Sequence, residues 1–106
     1  MRLVYTSTAR KRLRNILEYI RSEHSEKRAS TFQKRVLDRS EELLDHPLKG
    51  HPIPTLTTPE RAYRGLSFGR HLTIYHVDND HIHVTDFFDT KQHPANAWMK
   101  ADTFTC

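Results

Sequence analysis

Two periodicities divide this chain. After a short β-prone stretch at residues 2–6, Ala9, Leu13, Ile16, Leu17 and Ile20 recur at the spacing of one helix face, while Arg10, Lys11, Arg12 and Arg14 fall mostly off it. Thr6, Ser7 and Thr8 supply capping hydroxyls, so the pattern predicts a first helix over about residues 8–22. Ser25 is placed to cap a second helix, whose stripe is Ala29, Phe32, Val36, Leu37, Leu43 and Leu44. His46 precedes Pro47 and resists the helical region, so the second helix is expected to run from about 25 to 46. A short link between two amphipathic stripes predicts an antiparallel hairpin, and neither stripe can be buried without a further apolar layer.

Residues 47–60 hold four of the five prolines and read as a loop crossing from helices to sheet. Beyond it the period falls to two, predicting strands over 61–67, 70–77 and 81–88, with turns at Phe68–Gly69 and at 78–80. A three-residue turn at 78–80 places Ile82 opposite His76 and Val84 opposite Ile74. The face carrying Leu72, Ile74, Ile82 and Val84 is then expected to cover the helices. The opposite face shows His71, Thr73, Tyr75, His81, His83 and Thr85. The expected class is α+β in the order β-α-α-β-β-β: an N-terminal helical hairpin packed on a small, mainly antiparallel sheet. One domain is expected over residues 1–98, with a tail over 99–106.

Composition narrows the function classes. The 106 residues are 36% hydrophobic and 28% charged, enough chain to bury a core without disulfides or a structural metal. No apolar run is long enough for a membrane span or a signal peptide. The single cysteine, Cys106, cannot form an internal disulfide, so a cytoplasmic, reducing location is expected. With three glycines and no glycine-rich phosphate loop, dinucleotide-fold and P-loop nucleotide binding are excluded. The net charge of +4 is uneven: residues 1–40 carry eleven Lys/Arg against four Asp/Glu, and residues 41–106 carry six against nine. A basic half suits an acidic partner, although charge by itself is equally the mark of solvated helix faces.

Four words in this order resemble one superfamily. Ala9, Leu13, Ile16, Tyr19 and Ile20 fit a helix pattern A-x-x-x-L-x-x-I-x-x-Y-I. Pro47, Gly50 and Pro52 fit P-x-x-G-x-P. Tyr63, Arg64 and Leu66, followed by Gly69, Arg70, Ile74, Tyr75, Val77 and Asp78, fit a Y-R-x-L…G-R-Y-x-I-x-Y-x-V-D hairpin. Asp89, Thr90 and Gln92 fit D-T-R-Q-N-P, with Lys91 and His93 as departures. Across about residues 2–98 the chain resembles the RelE/ParE superfamily of bacterial toxin–antitoxin pairs, and it looks closer to the ParE-like branch. The resemblance implies a cognate antitoxin with an acidic, amphipathic segment that folds on binding.

The branches differ in target. RelE-like members are ribosome-dependent mRNA endonucleases, whereas ParE-like members inhibit DNA gyrase. RNA cleavage needs a base, an acid and a cation for the phosphorane. The resemblance to RelE calls for an arginine three residues before the second tyrosine, where Leu72 stands. A ribonuclease site would have to be rebuilt from Arg64, Arg70, Lys91 and His93. The long second helix favours the gyrase inhibitor, with mRNA cleavage as the alternative and an inactive antitoxin-binding member third. Candidate partner contacts are Arg14, Arg21, Arg28, Tyr63, Arg64, Arg70, Tyr75 and Trp98. The plainer reading of Arg64 and Arg70 is surface charge and antitoxin contact. No cofactor and no metal are expected, because histidines on a sheet face without cysteine fall short of a zinc ligand set. No helix-turn-helix, zinc-finger or RRM signature supports direct DNA binding without the antitoxin.

Overall fold

The computed structural model describes residues 1–89. Its elements are β1 (Arg2–Tyr5), α1 (Ser7–Glu23), α2 (Glu26–Glu41), a 3-10 turn (Glu42–Leu44), β2 (His51–Pro52), β3 (Tyr63–Phe68), β4 (His71–Val77) and β5 (His81–Asp89). One five-stranded sheet has the order β1-β5-β4-β3-β2. β1 lies parallel to β5, and the remaining pairs are antiparallel. The expected α+β architecture is present, with β2 added as a two-residue edge strand inside the proline-rich segment.

The caps explain where the helices start. Thr6 Oγ1 accepts the backbone N–H of Ala9 at 3.1 Å, and Ser25 Oγ accepts that of Arg28 at 3.1 Å, satisfying donors that helix starts otherwise leave orphaned. The second helix stops earlier than its stripe predicts. After Glu41 the winding tightens to a 3-10 turn, which rolls Leu43 into full burial and leaves Leu44 40% exposed. The α-helix therefore ends at Glu41 rather than near 46. An argument for the ParE-like branch from an unusually long α2 falls with it.

The sheet corrects the expected faces. Val77 pairs with Ile82 and His76 with His83, one position away from the expected register. Asp78 causes the shift: its N–H donates to His81 O at 3.0 Å, and its Oδ1 accepts the N–H groups of Asp80 and His81 at 3.2 and 2.9 Å. Only Asn79 and Asp80 are then left to make the turn. A one-residue slip turns every side chain of a strand over. Tyr75, Val77, Ile82 and Val84 thus face the helices with Leu66, whereas Leu72 and Ile74 face away. His71 and Thr73 also leave the polar face assigned to them, and His76 joins His81 and His83 there. Further along, Thr85 opposes no residue of β4, because Ile74 pairs with Asp86 and Tyr75 with Val84. This bulge sends Phe87 to the helix side and Phe88 to the other.

Two cores result. The larger one joins Ala9, Leu13, Ile16 and Leu17 of α1 and Ala29 and Val36 of α2 to the helix-facing strand residues. The smaller one sets Ile53 and Leu56 of the proline-rich segment over Leu72, Ile74 and Phe88. That segment is pinned by Ile53 N–H to Tyr63 O at 2.9 Å and by paired bonds between Thr58 and Arg61. At the β3–β4 hairpin Gly69 has φ +60°, the left-handed conformation that a two-residue turn requires.

Candidate functional site

Where the second helix passes the β3–β4 turn, the surface opens into a groove of about 640 Å³. Its floor is aromatic. Phe32 packs edge-on to Phe68 with ring centroids 5.7 Å apart, and lies 4.7 Å from the His71 ring. Its rim is basic, with Lys27, Arg28, Arg35 and Arg70 among the lining residues and no carboxylate in the lining among the described residues. α2 supplies one wall because its stripe turns Phe32 partly inward while Lys27, Arg28 and Arg35 stay exposed on its flanks. Such a surface suits an acidic, partly apolar segment.

Arg70 is held at one end of this groove. Its Nε lies 3.2 Å from Asp89 Oδ1 and its Nη2 3.3 Å from Asp89 Oδ2, a forked pairing with a carboxylate that is almost fully buried. His71 Nε2 is 3.5 Å from the same carboxylate and makes no hydrogen bond. Burial lowers the His71 pKa below the ordinary 6.5; Asp89 opposes this and Arg70 adds to it. The folded protein thus resists a proton that the unfolded chain accepts. Stability is expected to be full above pH 6.5 and to fall as the pH drops through 6.5 toward the lowered folded value. His76, whose pKa burial and the neighbouring His83 also lower, acts in the same direction. Urea unfolding at pH 7.5 and 5.5 measures this, and His71→Gln should make the difference between the two pH values smaller.

Other candidates serve the fold. Tyr75, expected among the partner contacts, is fully buried. Its hydroxyl donates to Pro47 O at 2.8 Å and accepts the Gly50 N–H at 2.9 Å. Burial raises its pKa. Arg64 reaches the same loop, donating from Nη1 to Gly50 O at 2.7 Å and Leu48 O at 3.2 Å. Tyr63 is half-buried and sets its ring edge-on to His76 at 5.3 Å. On the hairpin, Arg14 is exposed, Arg21 pairs with Glu26, and Arg28 Nη1 lies 3.4 Å from His24 Nδ1.

The structure does not bring the candidate ribonuclease arginines together. Arg64 sits opposite Tyr75, while Arg70 lies in the turn beyond the Phe68–His71 pair. Four steps along the strand separate Arg64 from Phe68 of that pair, about 13 Å at ~3.3 Å per residue. Lys91, His93 and Trp98, and the expected boundary between domain and tail, lie outside the described residues.

Sequence reasoning missed the groove. Phe32 was legible as a position on the helix stripe, whereas Phe68 was read as part of the turn with Gly69; it closes β3 and meets Phe32 beside that turn. Asp89 was legible as a motif residue, but its role as the buried anchor of Arg70 was not. A buried carboxylate needs a cation, and an arginine opening the β4 hairpin is the signal that points to one.

A helical hairpin on a mixed sheet, with a basic groove beside it, defines a small α+β module. Comparison with known proteins agrees: residues 3–94 match the family model described as the ParE toxin of the type II toxin–antitoxin system parDE. The chain belongs to this ParE toxin family. Among solved structures, a chain titled the chromosomal ParDE TA system from P. aeruginosa superposes with a TM-score of 0.68 at 16% identity, over 84% of this chain and 95% of that one. This likeness bears on the fold. No curated protein sequence matches the chain. No helix among the described residues is long and apolar enough to cross a membrane.

Proposed function

We propose that this toxin arrests growth by binding DNA gyrase in the cytoplasm, and that an acidic segment of its antitoxin neutralises it by docking in the hairpin groove. The family match over residues 3–94 carries the first part of the reading. The second rests on a groove whose rim is basic and whose floor is aromatic. In this reading the protein acts by binding, and Arg28, Arg35 and Arg70 serve recognition rather than bond cleavage.

Induction of the protein without its antitoxin in a bacterium, with pulse-labelling of DNA and protein synthesis side by side, tests the target. DNA synthesis is expected to stop first while translation continues, and the purified protein should inhibit supercoiling by gyrase. An early arrest of translation with DNA synthesis persisting would sink the proposal and favour mRNA cleavage. Antitoxin binding is expected to weaken about ten-fold or more in an Arg28→Glu/Arg35→Glu variant, and to weaken with salt in the wild type, as interfacial charges of this kind are screened. Unchanged affinity at both salt concentrations would move the antitoxin to another surface.

A further inference from the structure

The sheet face turned away from the helices carries a second cluster, at the β4–β5 turn, apart from the groove described above. Asp78, His81 and His83 each place one ligand atom within 4.8 Å of the others. His81 and His83 are two apart on β5 and therefore share a face. Asp78 enters from the turn: Oδ2 lies 2.7 Å from His83 Nε2, and Oδ1 lies 3.8 Å from His81 Nδ1. We propose that this turn is a binding site for a borderline divalent transition metal, of which Zn²⁺ is the reference ion, held by Asp78, His81 and His83.

The chemistry of the donors sets the class of ion. Two imidazoles and one carboxylate suit Zn²⁺ and its neighbours, and give little to Mg²⁺ or Ca²⁺, which take oxygen ligands. Bonds of about 2.0–2.1 Å in a tetrahedral shell put ligand atoms about 3.3 Å apart. The three side chains are 53%, 39% and 27% exposed in the order Asp78, His81, His83, so small rotations close the remaining gap. Asp78 needs no search for its pose, since the N–H groups of Asp80 and His81 already hold Oδ1. His76 backs the His83 ring, stacked at 4.7 Å. A cavity of about 340 Å³ opens beside His76, Asp78 and His83. Glu60 and Arg61 also line it, and their opposite charges leave the field there close to balanced. The expectation of no metal site counted imidazoles alone; the turn carboxylate completes the set.

Calorimetric titration of the full chain with Zn²⁺ is the test, followed by Co²⁺ substitution, whose visible absorption reports the coordination. One saturable equivalent is expected, with no competition from excess Mg²⁺. His81→Ala and His83→Ala should each weaken binding at least ten-fold. Asp78→Asn retains an oxygen to accept the turn N–H groups but removes the carboxylate, so it should weaken binding with the fold unchanged by circular dichroism. His24→Ala, on the helix side, should have no effect. Absence of saturable uptake, equal competition by Mg²⁺, or full binding by a His81→Ala/His83→Ala variant would each overturn the proposal.

Discussion

Replacing Phe87 by alanine is expected to cost the protein about 3–5 kcal/mol, the usual penalty for emptying a large buried aromatic site. Phe87 is 2% exposed, and its ring stacks on Tyr5 with centroids 6.1 Å apart. It is in place only because the bulge at Thr85 turns it toward α1. Tyr5 of β1 and the apolar stripe of α1 both pack in the cluster that holds it. Small domains hold about 5–15 kcal/mol in total, so this substitution removes a large share. Denaturant unfolding should show the midpoint fall with the slope unchanged. Phe88→Ala provides the comparison on the opposite face, where the ring belongs to the smaller cluster. A Phe87→Ala protein within about 1 kcal/mol of wild type would mean that the bulge register assigned here is wrong.

The second large effect concerns the loop that Tyr75 clamps. A Cβ on Gly50 would lie 2.8 Å from Gly65 O, 2.8 Å from the Tyr75 hydroxyl and 2.9 Å from its Cε1. The first of these is backbone of β3, paired with β2, and cannot swing away. Gly50→Ala is therefore expected to cost about 1–3 kcal/mol, as overpacking generally does. Tyr75→Phe should cost a similar amount, about 1–3 kcal/mol, because it leaves the buried Gly50 N–H without its acceptor. The two are in contact and should not add. Removing the hydroxyl takes away one of the atoms that the new methyl strikes, so the double variant is expected to be more stable than the sum of the single losses predicts. Strict additivity in a double-mutant cycle would show that the hydroxyl and Gly50 do not touch in solution.

Legibility in the sequence followed the strength of each local signal. The hairpin was plain because the apolar stripe of α1 and the hydroxyls of Thr6 and Ser25 agree on period and start. The end of α2 was not, since the tightening to a 3-10 turn keeps Leu43 on the stripe and moves only Leu44 off it. The strands were legible as strands, yet their faces were inverted on β4. Period two states which residues share a face and leaves open which face is inward. Here the choice hung on one side chain, Asp78, closing the turn around two residues. The mixed character of the sheet faces, with Tyr75 inward and Ile74 covered by Ile53, removed the polarity contrast that would have decided it. The family resemblance rested on words whose residues prove to be structural: Tyr75, Arg64 and Gly50 form one clamp. The groove, assembled from α2 and the β3–β4 turn, has no word of its own.

The parallel pairing of β1 with β5 has a bearing on synthesis. Arg2–Tyr5 finds its register only against His81–Val84, and the Thr6 N–H that opens the first helix donates to Val84 O. Nearly the whole chain must therefore leave the ribosome before its first strand has a partner. Until then the helical hairpin has only residues of β3 and β4 to cover its apolar stripe, and a nascent form so incomplete is open to chaperones and proteases. Completion of the fold waits on translation of β5, so a ribosome that stops short of it releases a chain that lacks the strand joining β1 to β4. The order in which the strands are made therefore leaves the first strand and the start of the first helix unpartnered until β5 is made.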